Sequence, residues 1–211
     1  MIVRRTITKD DISNMPKATF EGKIITICTD KDAERAVEFL SQYPVVGIDS
    51  ETRPSFVKGQ IHKVSLLQIA TGGHCFLFRL NLMGFPKALI RLLENPDIVK
   101  VGLSLKDDFM ALRRRAPFKE QSCIELQEFV KPFGIQDKSL QKIYAILFGY
   151  KISKSQRLSN WEAETLSPSQ QQYAATDAWT CLQIYNLLQE LHKTGNYEKE
   201  EVVEPEIEEK E

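Results

Sequence analysis

Residues 45–52 read Val45-Val46-Gly47-Ile48-Asp49-Ser50-Glu51-Thr52. The first four are apolar and short, and the run then turns acidic. That pattern predicts a buried strand that surfaces at its carboxyl end. Side chains two apart in a strand share a face, so Asp49 and Glu51 point together. Two like charges at the inner side of a strand end are costly unless a cation joins them. A strand simply emerging into water would also carry acids, so D-x-E alone decides nothing.

Outward from this stretch the elements follow in order. KIITICT (23–29) is β-branched and reads as a strand, and Asp30 is placed to cap the helix DAERAVEFLSQ (32–42). The polar loop TRPSFVKGQIH (52–62) separates the central strand from VSLLQIA (64–70) and HCFLF (74–78). These last two are joined by Thr71-Gly72-Gly73, so three consecutive strands are expected to be antiparallel neighbours. Then come the helix PKALIRLLEN (86–95) and the strand IVKVGL (98–103). Ser104 stands as the cap of LKDDFMALRRR (105–115), with Asp107 at the capping-box position. Ser139 and Gly149 bracket LQKIYAILFG, and Ser167-Pro168 with Gln170 opens the last long helix, running to about Leu191. Strands first, then alternating helix and strand, then helices predict a mixed sheet with helices on both faces, an α/β or α+β domain. The expected organisation is an N-terminal arm over 1–20, one domain over 21–195 and an acidic, disordered tail over 196–211.

Charge and composition narrow the function classes. The formal net charge is −1, yet the eight Glu and two Lys from Glu198 onward carry −6, which leaves +5 on the rest. A mildly basic body suits a polyanionic partner. The four cysteines lie far apart with no C-x-x-C pair, and the three histidines are dispersed, which argues for buried reduced thiols and against zinc. No apolar run is long enough to span a membrane, and the charged start MIVRRTITKDD has no secretory character. The expected location is the cytoplasm for a bacterial chain, or equally the nucleus and cytoplasm for a eukaryotic one.

Two further acids complete a set. Asp108 opens a helix just after a strand, where it could serve the helix N-terminus, although Asp107 could fill that role alone. Tyr173 and Asp177 are four apart on a helix and therefore share a face. The segment GLSLK (102–106) lacks the second glycine of a serine-nucleophile elbow, which sets that hydrolase class aside. Four carboxylates without His or Cys suit hard divalent cations such as Mg²⁺ or Mn²⁺. Two such ions about 3.5–4 Å apart would serve phosphodiester hydrolysis. A neutral tyrosine hydroxyl would aim the attacking water.

At this point the chain resembles the DEDD-type 3′–5′ exonucleases of the tyrosine subclass, the group with RNase D and the Werner-type exonuclease domains. GIDSET matches the first motif, VGLSLKDDFMAL the second and YAATDA the third. KVSLLQIA, CFLF and KSQRLSNW resemble the Werner-type branch most, and the likeness covers roughly residues 24–192. It implies a ribonuclease H-like fold, a mixed five-stranded sheet flanked by helices, and catalytic residues Asp49, Glu51, Asp108, Tyr173 and Asp177, the four acids being the metal ligands. Alignment of the following Leu112 selects Asp108 over Asp107. The implied activity is release of nucleoside 5′-monophosphates from a 3′ end, single-stranded or recessed, with two Mg²⁺ or Mn²⁺ ions. The Werner-type matches favour DNA over RNA. Counterparts of the helical nucleic-acid-binding domains of RNase D and of the helicase of the Werner protein are not expected within these 211 residues.

Substrate contacts are expected from Lys154, Arg157 and Trp161 in the basic loop 150–161, and from Arg53, Phe56 and Lys58 in the loop after the first motif. A packed Trp161 and an ordinary basic loop would look the same in sequence. The competing expectation is a catalytically silent nucleic-acid-binding module of the same fold. A hydrolase of small phosphate compounds is a third.

Overall fold

The core of the molecule is one sheet whose two faces are legible from strand alternation. The computed structural model describes residues 1–201, so the acidic tail lies outside the described residues from position 202 on. The strands are β1 (Ile2–Val3), β2 (Lys23–Ile27), β3 (Val45–Glu51), β4 (Leu66–Ala70), β5 (His74–Phe78), β6 (Val99–Gly102), β7 (Cys123–Glu125) and β8 (Glu198–Lys199). The helices are α1 (Lys9–Ser13), α2 (Asp30–Leu40), α3 (Leu80–Met83), α4 (Lys87–Glu94), α5 (Leu105–Leu112), α6 (Leu126–Phe129), α7 (Leu140–Phe148) and α8 (Pro168–Thr194), with a 3₁₀ turn at Lys131–Phe133.

The main sheet runs β2-β5-β4-β3-β6-β7 and has six strands, one more than expected. The extra strand, β7, is three residues long and half-buried at the edge, too short and too mixed to show a period in sequence. β4 runs antiparallel to both β3 and β5, and the other pairings, β2 with β5, β3 with β6 and β6 with β7, are parallel. The expected antiparallel trio is therefore present, closed by Thr71, whose hydroxyl accepts from the His74 N–H at 3.1 Å.

On one face Val46 and Ile48 of β3, Leu67 and Ile69 of β4 and Phe76 and Phe78 of β5 pack under α2, α4 and α5. On the other, Leu66, Ala70, Cys75 and Leu77 meet Ala174, Ala175 and Ala178 of α8, with Trp161 beside them. Val101 and the apolar sides of α7 and α8 extend that second layer.

Local signals held at several termini and failed at two. The Ser167–Gln170 capping box, Pro168 in the first turn and the Ser139 cap are all present, and Gly149 closes α7 in the left-handed region at φ 71°. Helix α2 is capped by Thr29 rather than Asp30, because Thr29 is the extended residue whose hydroxyl accepts from Asp32 N. Ser104 does not cap α5: it sits at φ 62° with no side-chain cap bond. Its role passes to Glu125 at the end of β7, whose carboxylate accepts from Ser104 N at 2.9 Å and Leu105 N at 2.7 Å. The segment read as an arm carries buried Val3, Ile7 and Ile12, and β1 pairs in parallel with β8. All four cysteines are free, with Cys75 and Cys181 buried and Cys28 exposed. Among the described residues no helix is long and apolar enough to cross a membrane.

Candidate active site

β3 delivers Asp49 and Glu51 to the face that α8 covers. Gly47 makes this possible: a Cβ there would stand 2.0 Å from the Ala178 carbonyl oxygen, so only glycine lets the helix lie this close to the strand. Ala174, Ala175 and Ala178 on the helix side are all fully buried, and the small residues on both partners bring Asp177 down onto the acidic strand end. Carboxylate oxygens of Asp49, Glu51 and Asp177 all lie within 4.8 Å of one another. Asp177 is 7% exposed and Glu51 9%, so the charges cannot be relieved by water alone.

Asp108 comes from the opposite side of the sheet, in the first turn of α5. Ser50, between the two acids of β3, points the other way and donates to Asp108 Oδ1 at 2.7 Å. Asp108 stands just outside the ring of three, tied to the same strand end. Its neighbour Asp107 is exposed, and its backbone N–H bonds Ser104 O, as an ordinary first-turn residue does. The geometry thus separates the two as the motif alignment does.

The electrostatics report strain. Burial, and then the charges of Asp108, Glu51 and Asp177, hold the Asp49 carboxyl well above the usual carboxylate range. Burial first, then Asp177 and Asp108, pushes Glu51 to about 9. Asp177 is raised to about 7 by burial, with the nearby Tyr173 hydroxyl and the Lys154 charge pulling back down. Asp108 rises to about 6 through burial, against the Ser50 hydroxyl. Burial and the neighbouring acids push the Tyr173 phenol up, so it keeps its proton throughout the neutral range.

A divalent cation fits this site. The donors are hard carboxylate oxygens without sulfur or imidazole, and Asp177 Oδ1 is buried with no hydrogen-bond partner. Such an orphaned acceptor is costly in an apolar seam and is satisfied by a cation.

The expected substrate contacts divide. Phe56 is 84% exposed and Lys58, Lys154 and Arg157 are exposed. Arg53 is exposed but paired with Glu162 at 3.2 Å, which also meets His62 Nδ1 at 3.3 Å. Trp161 offers no face for stacking: it is fully buried, with its ring centroid 6.0 Å from that of Tyr173. It packs beside the tyrosine from within, and just after it in the chain the Arg79 guanidinium donates to the Ala163 and Glu164 carbonyls. The sequence reading missed Gly47, Ser50 and Glu125. A glycine inside a strand is a detectable signal of close backbone approach, whereas the other two need the fold.

Comparison with known proteins agrees. Residues 24–193 match the family model described as 3′–5′ exonuclease. The mouse bifunctional 3′–5′ exonuclease/ATP-dependent helicase WRN is 32% identical over 203 residues, covering 92% of this chain and 14% of that protein. An Arabidopsis thaliana 3′–5′ exonuclease is 31% identical over 194 residues, 84% of this chain and 67% of the relative. The chain thus spans a small part of some relatives it matches and about two thirds of another. In fold, it superposes on the Aedes aegypti Nibbler EXO domain with a TM-score of 0.76 at 20% identity, covering 86% of this chain and 95% of that one. Escherichia coli RNase D gives 0.72 at 21% identity over 82% of this chain and 46% of the other. With the family-model match running from β2 through α8, the chain belongs to the 3′–5′ exonuclease family.

Proposed function

We propose that this domain hydrolyses the terminal phosphodiester at the 3′ end of a nucleic acid strand, using two Mg²⁺ or Mn²⁺ ions and releasing nucleoside 5′-monophosphates. The observation that carries this is the buried ring of Asp49, Glu51 and Asp177, with Asp108 fixed beside it by Ser50. These four residues would hold the cations. When bound, such ions lower the pKa of a water and balance the charge developing on the leaving oxygen.

The chain's own groups do the rest. Tyr173 lies one helical turn before Asp177 and keeps its proton, so its hydroxyl can position the attacking water without competing as a base. Trp161 packs beside its ring and Ala174 follows it on the helix, which limits where the phenol can point.

For the substrate we propose a strand whose terminal nucleotide lies under the loop 52–62. Phe56 supplies an exposed ring for stacking and Lys58 a charge for phosphate. A cavity of about 350 Å³ opens beside Tyr173, lined by Lys17, Ser153, Ser155 and Gln156 among others. With exposed Lys154 and Arg157 it offers a basic path for the adjoining nucleotides. We take DNA as the substrate, with single-stranded or recessed 3′ ends as its form, from the resemblance of KVSLLQIA, CFLF and KSQRLSNW to the Werner-type branch.

The test is digestion of 5′-labelled and 3′-labelled single strands of DNA and RNA in parallel, with Mn²⁺ or with EDTA. The expected result is metal-dependent shortening from the 3′ end, faster on DNA. Cleavage that persists in EDTA, or shortening from the 5′ end, refutes the proposal. Tight binding without cleavage under either metal would favour a silent binding module instead.

A further inference from the structure

Every other side chain that β4 presents to α8 is apolar, and Gln68 alone is not. Its neighbours on that face are Leu66 and Ala70 along the strand and Leu77 across β5. Gln68 is fully buried, yet neither its Oε1 nor its Nε2 has a hydrogen-bond partner. A leucine of similar reach would pack in this seam without that cost. An orphaned carboxamide in a dry core therefore calls for an explanation.

Register supplies one. Asp49 and Gln68 stand directly opposite each other in the antiparallel β3–β4 pair. Opposed residues of such a pair share a face with their Cβ atoms about 4.5–5.5 Å apart. Glu51 lies two residues along the same face, and Asp177, whose Oδ1 is likewise buried and unpartnered, comes down from α8. An unused buried donor thus stands on the strand position opposite Asp49, one of the three acids of the ring.

We propose that Gln68 is a positioning residue for the metal ligands: its Nε2 donates to the Asp49 carboxylate once that carboxylate turns to hold a cation. Carboxylates that ligate metals are themselves oriented by hydrogen bonds, and losing such a partner typically lowers metal affinity about 10–100-fold. Gln68 touches neither water nor substrate in this role. It acts through Asp49. This inference rests on the metal-binding part of the proposed function and not on the nuclease part.

The experiment titrates Mn²⁺ against thermal unfolding of the full chain, starting from EDTA-treated protein. In Gln68→Leu the metal-free melting temperature should stay level or rise, while the Mn²⁺ concentration giving half the thermal shift rises about 10–100-fold. Gln68→Met provides the same loss of hydrogen bonding if the leucine variant does not fold. Leu77→Met, which alters packing beside Gln68 without touching a polar group, should leave the Mn²⁺ midpoint in place. A Gln68 variant whose midpoint lies within about twofold of wild type overturns the inference, as does an equal shift in Leu77→Met. Wild-type protein showing no Mn²⁺-dependent shift overturns it together with the proposed metal site. Protein that binds Mn²⁺ but cuts no strand removes the nuclease reading and leaves the role of Gln68 standing.

Discussion

Replacing Asp177 by asparagine should strengthen the metal-free fold while destroying its activity. Asp177 is 7% exposed and its carboxyl is raised from 3.8 to about 7, mainly by burial. At pH 8 the group is ionised both folded and unfolded, so the raised value corresponds to a cost on the order of 4 kcal/mol in the folded state. Asparagine removes that charge and brings an N–H₂ into a ring of carboxylate acceptors. It also leaves a polar group in the seam, and the remaining acids already share part of the repulsion. A net gain of about 2 kcal/mol follows, half the upper figure. For a chain of this size that is roughly 4–8 °C in Tm. Activity should fall by more than ~10²-fold, beyond the ~10–100-fold typical of losing a residue that merely supports a ligand. The assay pairs thermal unfolding in EDTA at pH 8 with cleavage of a labelled strand in Mn²⁺. A variant that melts below wild type in EDTA, or that cuts at the wild-type rate, refutes the reasoning.

Other outcomes follow from the same geometry. Because Glu51 and Asp177 are raised to about 9 and about 7, the folded state holds protons that the unfolded chain has already released. Stability of the EDTA-treated protein should therefore fall as pH rises from about 5 to 9, and Mn²⁺ should flatten the slope; a metal-free Tm that climbs over this range contradicts it. Tyr173→Phe should keep the Mn²⁺-dependent thermal shift and lose ~10²-fold in kcat, and an unchanged kcat removes its assigned role. Asp108→Ala should abolish cleavage while Asp107→Ala retains it, a distinction that kinetics on the two purified variants settles. Gly47→Ala puts a methyl 2.0 Å from the Ala178 carbonyl oxygen, so α8 must retreat. It should cost about 1–3 kcal/mol by thermal unfolding, and a wild-type Tm would show that α8 does not depend on this contact.

Much of this site could be read from the chain because its signals are local. Asp49 and Glu51 follow from strand period, Tyr173 and Asp177 from helical spacing, and the Ser167–Gln170 box from three-residue cap chemistry. What escaped depends on contacts between distant segments. Glu125 replaces Ser104 as the cap of α5 because β7 lies beside β6, and nothing near Ser104 reveals a carboxylate 21 residues on. The edge strand β7 itself has three residues, fewer than a period needs to show. Ser50 lies between two acids, and alternation sends it to the opposite face, where α5 brings Asp108. Trp161 shows the ambiguity in the other direction: a basic, aromatic loop suits nucleic acid, and only the folded chain reveals that the ring is fully buried against Tyr173.

The central claim is that these carboxylates direct a water at the phosphorus of the 3′-terminal phosphodiester. Single-turnover digestion of a short strand in ¹⁸O-labelled water with Mn²⁺, followed by mass analysis of the released mononucleotide, tests it directly. The account predicts a nucleoside 5′-monophosphate carrying one ¹⁸O on phosphorus. A nucleoside 3′-monophosphate, or a 5′-monophosphate without the label, would contradict it.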